Sequence, residues 1–228
     1  MSRRRFRMLT VTASLAFLVA VASCSAHHAT APAVDSGPAA NSPENAVRRL
    51  AWAWVHRDPA VDASVLTQDF GFAFAAWDSA GNAFPGRQWA LADESRSMLH
   101  LFQGGSPRPP AAAISLTIDN LLLALADPRP GHASRWHRTV RTGVDMKVTV
   151  TGPDGTPAVY PVTGYALFYL VRGDSAVLSR AQAPGGGRDS TVWYVDRWED
   201  QTLGSGTTAF HADPTEQRPL GSLKALYW

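Results

Sequence analysis

From Gly104 onward the sequence reads as strand and turn only, whereas the stretch before it carries three helical patterns and one strand pattern. Ser42, Pro43 and Glu44 open the first helix. A hydroxyl there can cap free amides, Pro suits the first turn, and Glu meets the positive end of the helix. Val47, Leu50, Ala51 and Trp54 then recur at helical spacing. Asp58 and Pro59 start a second, short helix with Val61, Val65 and Leu66 on its apolar face. Phe70, Phe72 and Phe74 alternate with small residues as a strand does, and Trp89 to Phe102 returns to helix before Gly104 and Gly105 stop it. Four long strand patterns follow, at Ala113 to Leu125, Trp136 to Thr151, Ala158 to Arg172 and Thr191 to Gln201, with turns across Asp127 to Gly131, Pro153 to Gly155 and Ala183 to Ser190. This order predicts an α+β fold in which three N-terminal helices pack on one curved antiparallel sheet.

Ahead of this domain lies a different kind of segment. Arg3, Arg4, Arg5 and Arg7 precede a charge-free apolar run from Met8 to Ala22. A membrane span needs about 20 apolar residues, and a cleaved export signal needs a core of roughly 7 to 15. The leader is therefore expected to be a signal peptide, residues 1–23.

The run Val21, Ala22, Ser23, Cys24 resembles the lipobox of bacterial lipoproteins, with Val21 where Leu is commoner. The resemblance implies that Cys24 receives a diacylglycerol, becomes the first mature residue and carries acyl chains such as palmitate. At about 0.8 kcal/mol per buried CH₂, two or three chains anchor a domain durably. The expected location is extracytoplasmic, on the cell membrane or on an outer membrane where the host has one, since Ser25 is not the Asp associated with inner-membrane retention.

Cys24 is the one cysteine of the chain, so no internal disulfide is expected and the core must hold the fold. The chain has 21 basic and 19 acidic residues, and removal of the leader with its four Arg leaves 17 against 19. A neutral to slightly acidic domain without a basic stripe has no electrostatic motive for binding nucleic acid. Residues 24–41, rich in Ala, Pro, Ser and Thr, read as a flexible tether, with His27 and His28 as solvated spacer. Residues 42–228 read as a single domain.

The element order, and the step Leu66, Thr67, Gln68, Asp69, Phe70 from helix into strand, resemble the nuclear-transport-factor-2-like or polyketide-cyclase-like cone fold, over Ser42 to about Gln201. The resemblance implies a cone-like, cystatin-like roll with an apolar pocket between the long helix and the concave side of the sheet. Members include hydrolases, dehydratases, isomerases, binding modules and dimerisation domains, so function depends on the groups that face inward.

The period of the strand from Trp136 puts Val140, Val144, Met146, Val148 and Val150 on one face, and Asp145 and Lys147 on the wetter one. In the last strand Trp193, Val195 and Arg197 share a face. If that face lines the cone, Arg197 needs a carboxylate such as Glu44 or Glu94, or a ligand anion. Trp54, Trp193 and Arg197 are the ligand-binding candidates. His100 with Asp78 or Asp93 is the candidate acid/base pair. Asp127, His132 and His137 are close in sequence, but their spacing matches no strong metal pattern and Pro128, Arg129, Pro130 indicate a surface turn, so neither metal nor cofactor is expected. Arg172, Gly173, Asp174 is read as turn chemistry, and Leu220 to Trp228 is apolar enough to dock on the domain or on a second subunit.

The leading functional reading is a non-catalytic, lipid-anchored domain that binds a small apolar molecule or an envelope protein. The alternatives are an enzyme of the hydrolase, dehydratase or isomerase kind using His100 and Asp78, and a structural module that homodimerises in the envelope.

Overall fold

The computed structural model describes residues 37–152, 154–176, 178, 188–204 and 217–228. The signal peptide, Cys24, the His27–His28 pair and the Pro184 to Gly187 link lie outside the described residues. None of the described helices is long and apolar enough to cross a membrane.

The helices form where the local chemistry starts and stops them. In α1 (Pro43–His56) the Ser42 hydroxyl accepts the Asn45 amide at 3.1 Å, and Arg57 closes the helix in the left-handed conformation. In α2 (Pro59–Ser64) Asp58 caps both Ala60 and Val61. Next come β1 (Leu66–Ala73), two 3₁₀ turns, β2 (Gln88–Ala90) and α3 (Leu91–Gln103). The second half supplies β3 (Ala111–Ile118), β4 (Ala124–Ala126), β5 (His137–Thr151), β6 (Pro157–Arg172) and β7 (Trp193–Thr202). One element departs from the strand-only expectation: α4 (Leu220–Ala225), a short helix near the C-terminus.

The sheet is curved and open, ordered β2-β1-β7-β6-β5-β3, with β4 on the remaining edge of β5. Its pairings are antiparallel except β1 beside β7, which is parallel. The three N-terminal helices cover one face, α1 against β3, β5 and β7, and α3 against β1. The expected phase of β5 holds: Val140, Val144, Met146, Val148 and Val150 are buried and Asp145 and Lys147 exposed.

The phase of β7 does not hold. Leu170 pairs with Val195 and Tyr169 with Arg197, so Asp196 is an extra, unpaired residue. A bulge of this kind moves every later side chain to the other face. Trp193 and Val195 therefore point into the core, and past the bulge it is Trp198, Asp200 and Thr202 that do so. Arg197 emerges on the outer face, and its partners are Glu199 at 2.8 Å and Gln88 at 3.2 Å, not Glu44 or Glu94.

The end of the chain docks on the domain's own interior. Leu220, Leu223 and Tyr227 join the main core. Leu220 N donates to Thr202 Oγ1 at 2.8 Å, Gly221 N to Asp200 Oδ2 at 2.9 Å, and Ser97 Oγ to Lys224 O at 2.7 Å. At the other end, residues 37–41, read above as the last of the tether, lie against the domain: Ala40 O accepts the Trp193 amide at 2.8 Å, and Pro38 O accepts from Arg49 at 3.1 Å.

Candidate functional site

The interior of the cone is the first place to look for a site. Its cavity is bounded by Val47, Leu50, Trp54, Met146, Phe168 and Trp198, among others, and holds about 20 Å³. A single water needs roughly 10–15 Å³. The cone is closed to anything larger because the chain fills it.

The filling is α4. Lys224 is buried, and its Nζ donates to Glu94 Oε1 at 2.7 Å and Oε2 at 2.9 Å, while Trp89 Nε1 donates to Glu94 Oε2 at 3.0 Å. The ammonium also lies 3.8 Å from the ring centroids of Phe72 and Trp198. Ring faces attract cations, and more strongly where water is excluded. Burial pulls the Lys224 pKa down, against the pull of Glu94. Burial pushes Asp62 up to about 8, reinforced by the charge of Glu94. This is a set of ionisable groups held in apolar surroundings.

The predicted acid/base residues serve this docking. His100 Nδ1 lies 2.7 Å from Tyr227 O, and Asp78 accepts from Ala80 N at 3.0 Å and from the Ser222 hydroxyl. His100 and Asp78 thus each meet the C-terminal segment by a separate contact. Of the three ligand-binding candidates, Trp54 lines the small inner cavity, Trp193 is packed in the core at the start of β7, and Arg197 lines a cleft on the opposite side of the sheet.

That outer cleft measures about 320 Å³ and is lined by Asp69, Gln88, Arg129, His132, His137, Asp196 and Arg197, with Val171 and Leu178 as apolar wall. Ligand pockets span roughly 300–1,000 Å³ with a few convergent polar groups. A broader depression of about 650 Å³ beside Gly104 to Pro110 offers one ionisable group, Arg108. The cleft is the richer site.

Its geometry is built by the loop between β4 and β5. Asp127 accepts the Arg129 amide at 2.9 Å, a turn that Pro128 and Pro130 stiffen and that Gly131 completes at φ +80°. Arg129 then folds back on Asp127, its Nε 3.1 and 3.0 Å from the two carboxylate oxygens and its Nη2 2.6 Å from Oδ2. The same Nη2 reaches Asp196 Oδ2 at 3.0 Å, and the guanidinium lies 4.2 Å above the Tyr169 ring. Arg129 therefore ties the loop to the bulge of β7. Burial would raise the Asp127 pKa, but the Arg129 hydrogen bonds more than offset it and hold the carboxyl below its ordinary value.

The turn brings His132 against His137, the first residue of β5, with ring centroids 4.6 Å apart and nearly perpendicular. His132 Nδ1 sits 3.0 Å from Pro130 O. His137 is buried, its Nδ1 has no hydrogen-bond partner, and burial with the neighbouring His132 lowers its pKa. One ligand-type atom from each of Asp127, His132 and His137 lies within 4.8 Å of the others. The expectation of no metal rested on a spacing that matches no strong metal pattern and on reading Pro128, Arg129, Pro130 as a surface turn. The turn is there, and it is what assembles the three groups.

No protein-family model matches the chain, and no curated protein does. Solved structures match in shape. A proposed scytalone dehydratase from Novosphingobium aromaticivorans shares 14% identity at a TM-score of 0.46, over 78% of this chain and 90% of its own. A Kribbella flavida protein, Kfla4162, shares 13% at 0.46, over 70% and 86%. A ketosteroid isomerase-like protein from Erwinia carotovora shares 16% at 0.41, over 68% and 89%. Likenesses this distant say nothing about the chemistry of this chain, which rests on its own residues.

Proposed function

We propose that the chain is a lipid-anchored extracytoplasmic binding domain, tethered through Cys24, whose recognition site is the polar cleft on the outer face of the sheet. The observation that carries this reading is the contrast in room: about 320 Å³ outside against about 20 Å³ inside. The small apolar ligand expected from the sequence has no space in the closed cone. The cleft, with Arg129, Arg197, Asp69, Asp196 and two imidazoles, suits a small polar or charged molecule or the polar tip of an envelope protein. A non-catalytic role fits because Arg129 and Arg197 already answer carboxylates and His100 and Asp78 support the C-terminal segment.

Two measurements test the reading. Mass spectrometry of the mature N-terminus should find an acylated Cys24, and Cys24→Ser should release the protein from the membrane; an unmodified, unanchored chain removes the tether. Native mass spectrometry of the untagged protein should show a stoichiometric small adduct that Arg197→Ala weakens. An adduct that instead survives Arg197→Ala and disappears when Trp54 is changed would move the site into the cone.

A further inference from the structure

We propose that Asp127, His132 and His137 form a binding site for a divalent transition-metal ion of the zinc class, at the loop end of the outer cleft. The proposal rests on the reading of that cleft as the recognition site and deepens it: the ion would be the point to which a polar ligand attaches.

Three features of the geometry point the same way. One potential ligand atom from each residue lies within 4.8 Å of the other two. Bonds of about 2.0–2.1 Å to imidazole nitrogen and carboxylate oxygen put the corners of a tetrahedral zinc site about 3.3 Å apart, so the three groups would draw together on binding an ion. The His132 ring is held as a ligand would be: its Nδ1–H donates to Pro130 O, which leaves the Nε2 lone pair free. Metal-bound histidines commonly have their other nitrogen fixed by a backbone carbonyl in this way. His137 is 3% exposed, and its Nδ1 lacks any hydrogen-bond partner. A buried polar nitrogen without a partner is costly, and in native proteins such an atom calls for a specific explanation.

The carboxylate and the local charge complete the case. Arg129 reaches both oxygens of Asp127 and fixes the carboxylate, so an ion would share Asp127 with that guanidinium as its outer-shell partner. Asp127 and Asp196 together face one guanidinium there, two carboxylates to one cation. Two imidazoles and one carboxylate select zinc, nickel or copper over magnesium or calcium, which prefer all-oxygen shells. Three protein ligands leave a fourth position for water or a ligand group. Since Asp127 and His137 are buried and His132 is half-buried and lines the cleft, the open position faces the cleft.

The test uses the full mature chain, untagged and in detergent, with His27→Ala and His28→Ala so that the tether offers no competing imidazoles. Calorimetry with zinc chloride alone should give one ion per chain. His132→Gln, on a half-buried residue, and the near-isosteric Asp127→Asn should each weaken binding by about 100-fold or more. Cobalt(II) should give tetrahedral visible bands, and ¹⁵N spectra should show metal shifts at His132 Nε2 and His137 Nδ1. Absence of zinc uptake, equal uptake of magnesium, or zinc affinity unchanged in both variants overturns the site. A small-molecule adduct that persists without zinc uptake would overturn the metal site alone and leave the cleft as a binding site. Loss of both would remove the cleft reading as well.

Discussion

Two clusters of charge sit on opposite faces of the same sheet, and they are built on opposite terms. Inside, Lys224 and Glu94 are 0% and 1% exposed, paired in two hydrogen bonds and walled by aromatic rings. Outside, Arg129 is 27% exposed, its carboxylates Asp127 and Asp196 are 0% and 19%, and His137 Nδ1 and Asp196 Oδ1 are buried with no partner. The inner cluster pairs Lys224 with Glu94 and fixes where the chain's end docks; its unpartnered atoms include Asp62 Oδ1 and the indole nitrogens of Trp54 and Trp198, and the cavity that those two Trp line holds only about 20 Å³. The outer one has its unpartnered atoms beside a cleft of about 320 Å³. A site for a ligand is identified by unpartnered groups beside open space, and charge burial alone does not mark one.

The sharpest way to break this contrast is to remove Lys224. Lys224→Ala leaves Glu94 buried with one indole donor, and breaking a buried pair costs about 3–5 kcal/mol. Replacing both members by apolar residues of similar size, Lys224→Met with Glu94→Leu, should recover most of that loss, since an ion pair in a core is often no better than good packing. Urea denaturation of both variants decides it. A near-neutral Lys224→Ala would mean that α4 contributes little to closing the cone.

The pH dependence should separate the inner cluster from the outer. Asp62 titrates at 3.8 in the ordinary state and at about 8 in the fold. The unfolded chain thus releases this proton first, so the Asp62 contribution to stability falls as the pH rises from about 4 to about 8 and then levels. Lys224 has the reverse sign, its lowered pKa penalising acid conditions and relieved as the pH climbs toward 10.5. Asp62→Asn removes the first effect only. Its urea midpoint should exceed wild type by a wider margin near pH 9 than near pH 5, and an equal margin at both would contradict the sign. Asp127 behaves as an ordinary stabilising carboxylate, with its contribution present above pH 3.8 and lost as the pH falls through its depressed value.

How much of this was legible in sequence follows from which rules act locally. Ser42 and Pro43 start a helix by chemistry within four residues, and the period of Val140 to Val150 assigns faces without reference to the rest of the chain. The bulge at Asp196 leaves no local mark, and a single unpaired residue sends Arg197 to the other face. Lys224 is hidden for a related reason. In Leu220 to Ala225 a lysine reads as a solvated position, and only the distant Glu94, 130 residues earlier, makes its burial tolerable. The outer cleft was half legible: Asp127, Pro128 and Pro130 announce the turn, but the meeting of His132 with His137 depends on which way β5 begins.

On the outer face the expected effects are smaller. Arg129→Met strips Asp127 and Asp196 of their shared partner while the Arg129 amide still caps Asp127, so a loss of about 1–3 kcal/mol is expected. The acid limb of the stability curve should flatten with it, because Asp127 returns toward its ordinary value. A loss as large as that of Lys224→Ala would show that the two faces are not built on different terms after all.

Arg197 gives the smallest stability effect and the most discriminating one. It is half-exposed and linked to Glu199 at 2.8 Å and Gln88 at 3.2 Å, an arrangement that water can replace. Exposed pairs of this kind contribute about 0–1 kcal/mol, so Arg197→Ala should leave the denaturation midpoint nearly where it was. The same change takes away a guanidinium that lines the cleft, so any anionic or polar adduct should bind more weakly. Unchanged stability with weakened binding places Arg197 in the recognition surface. A clear loss of stability would instead make it a strut of the sheet edge, holding β7 to β2 through Gln88.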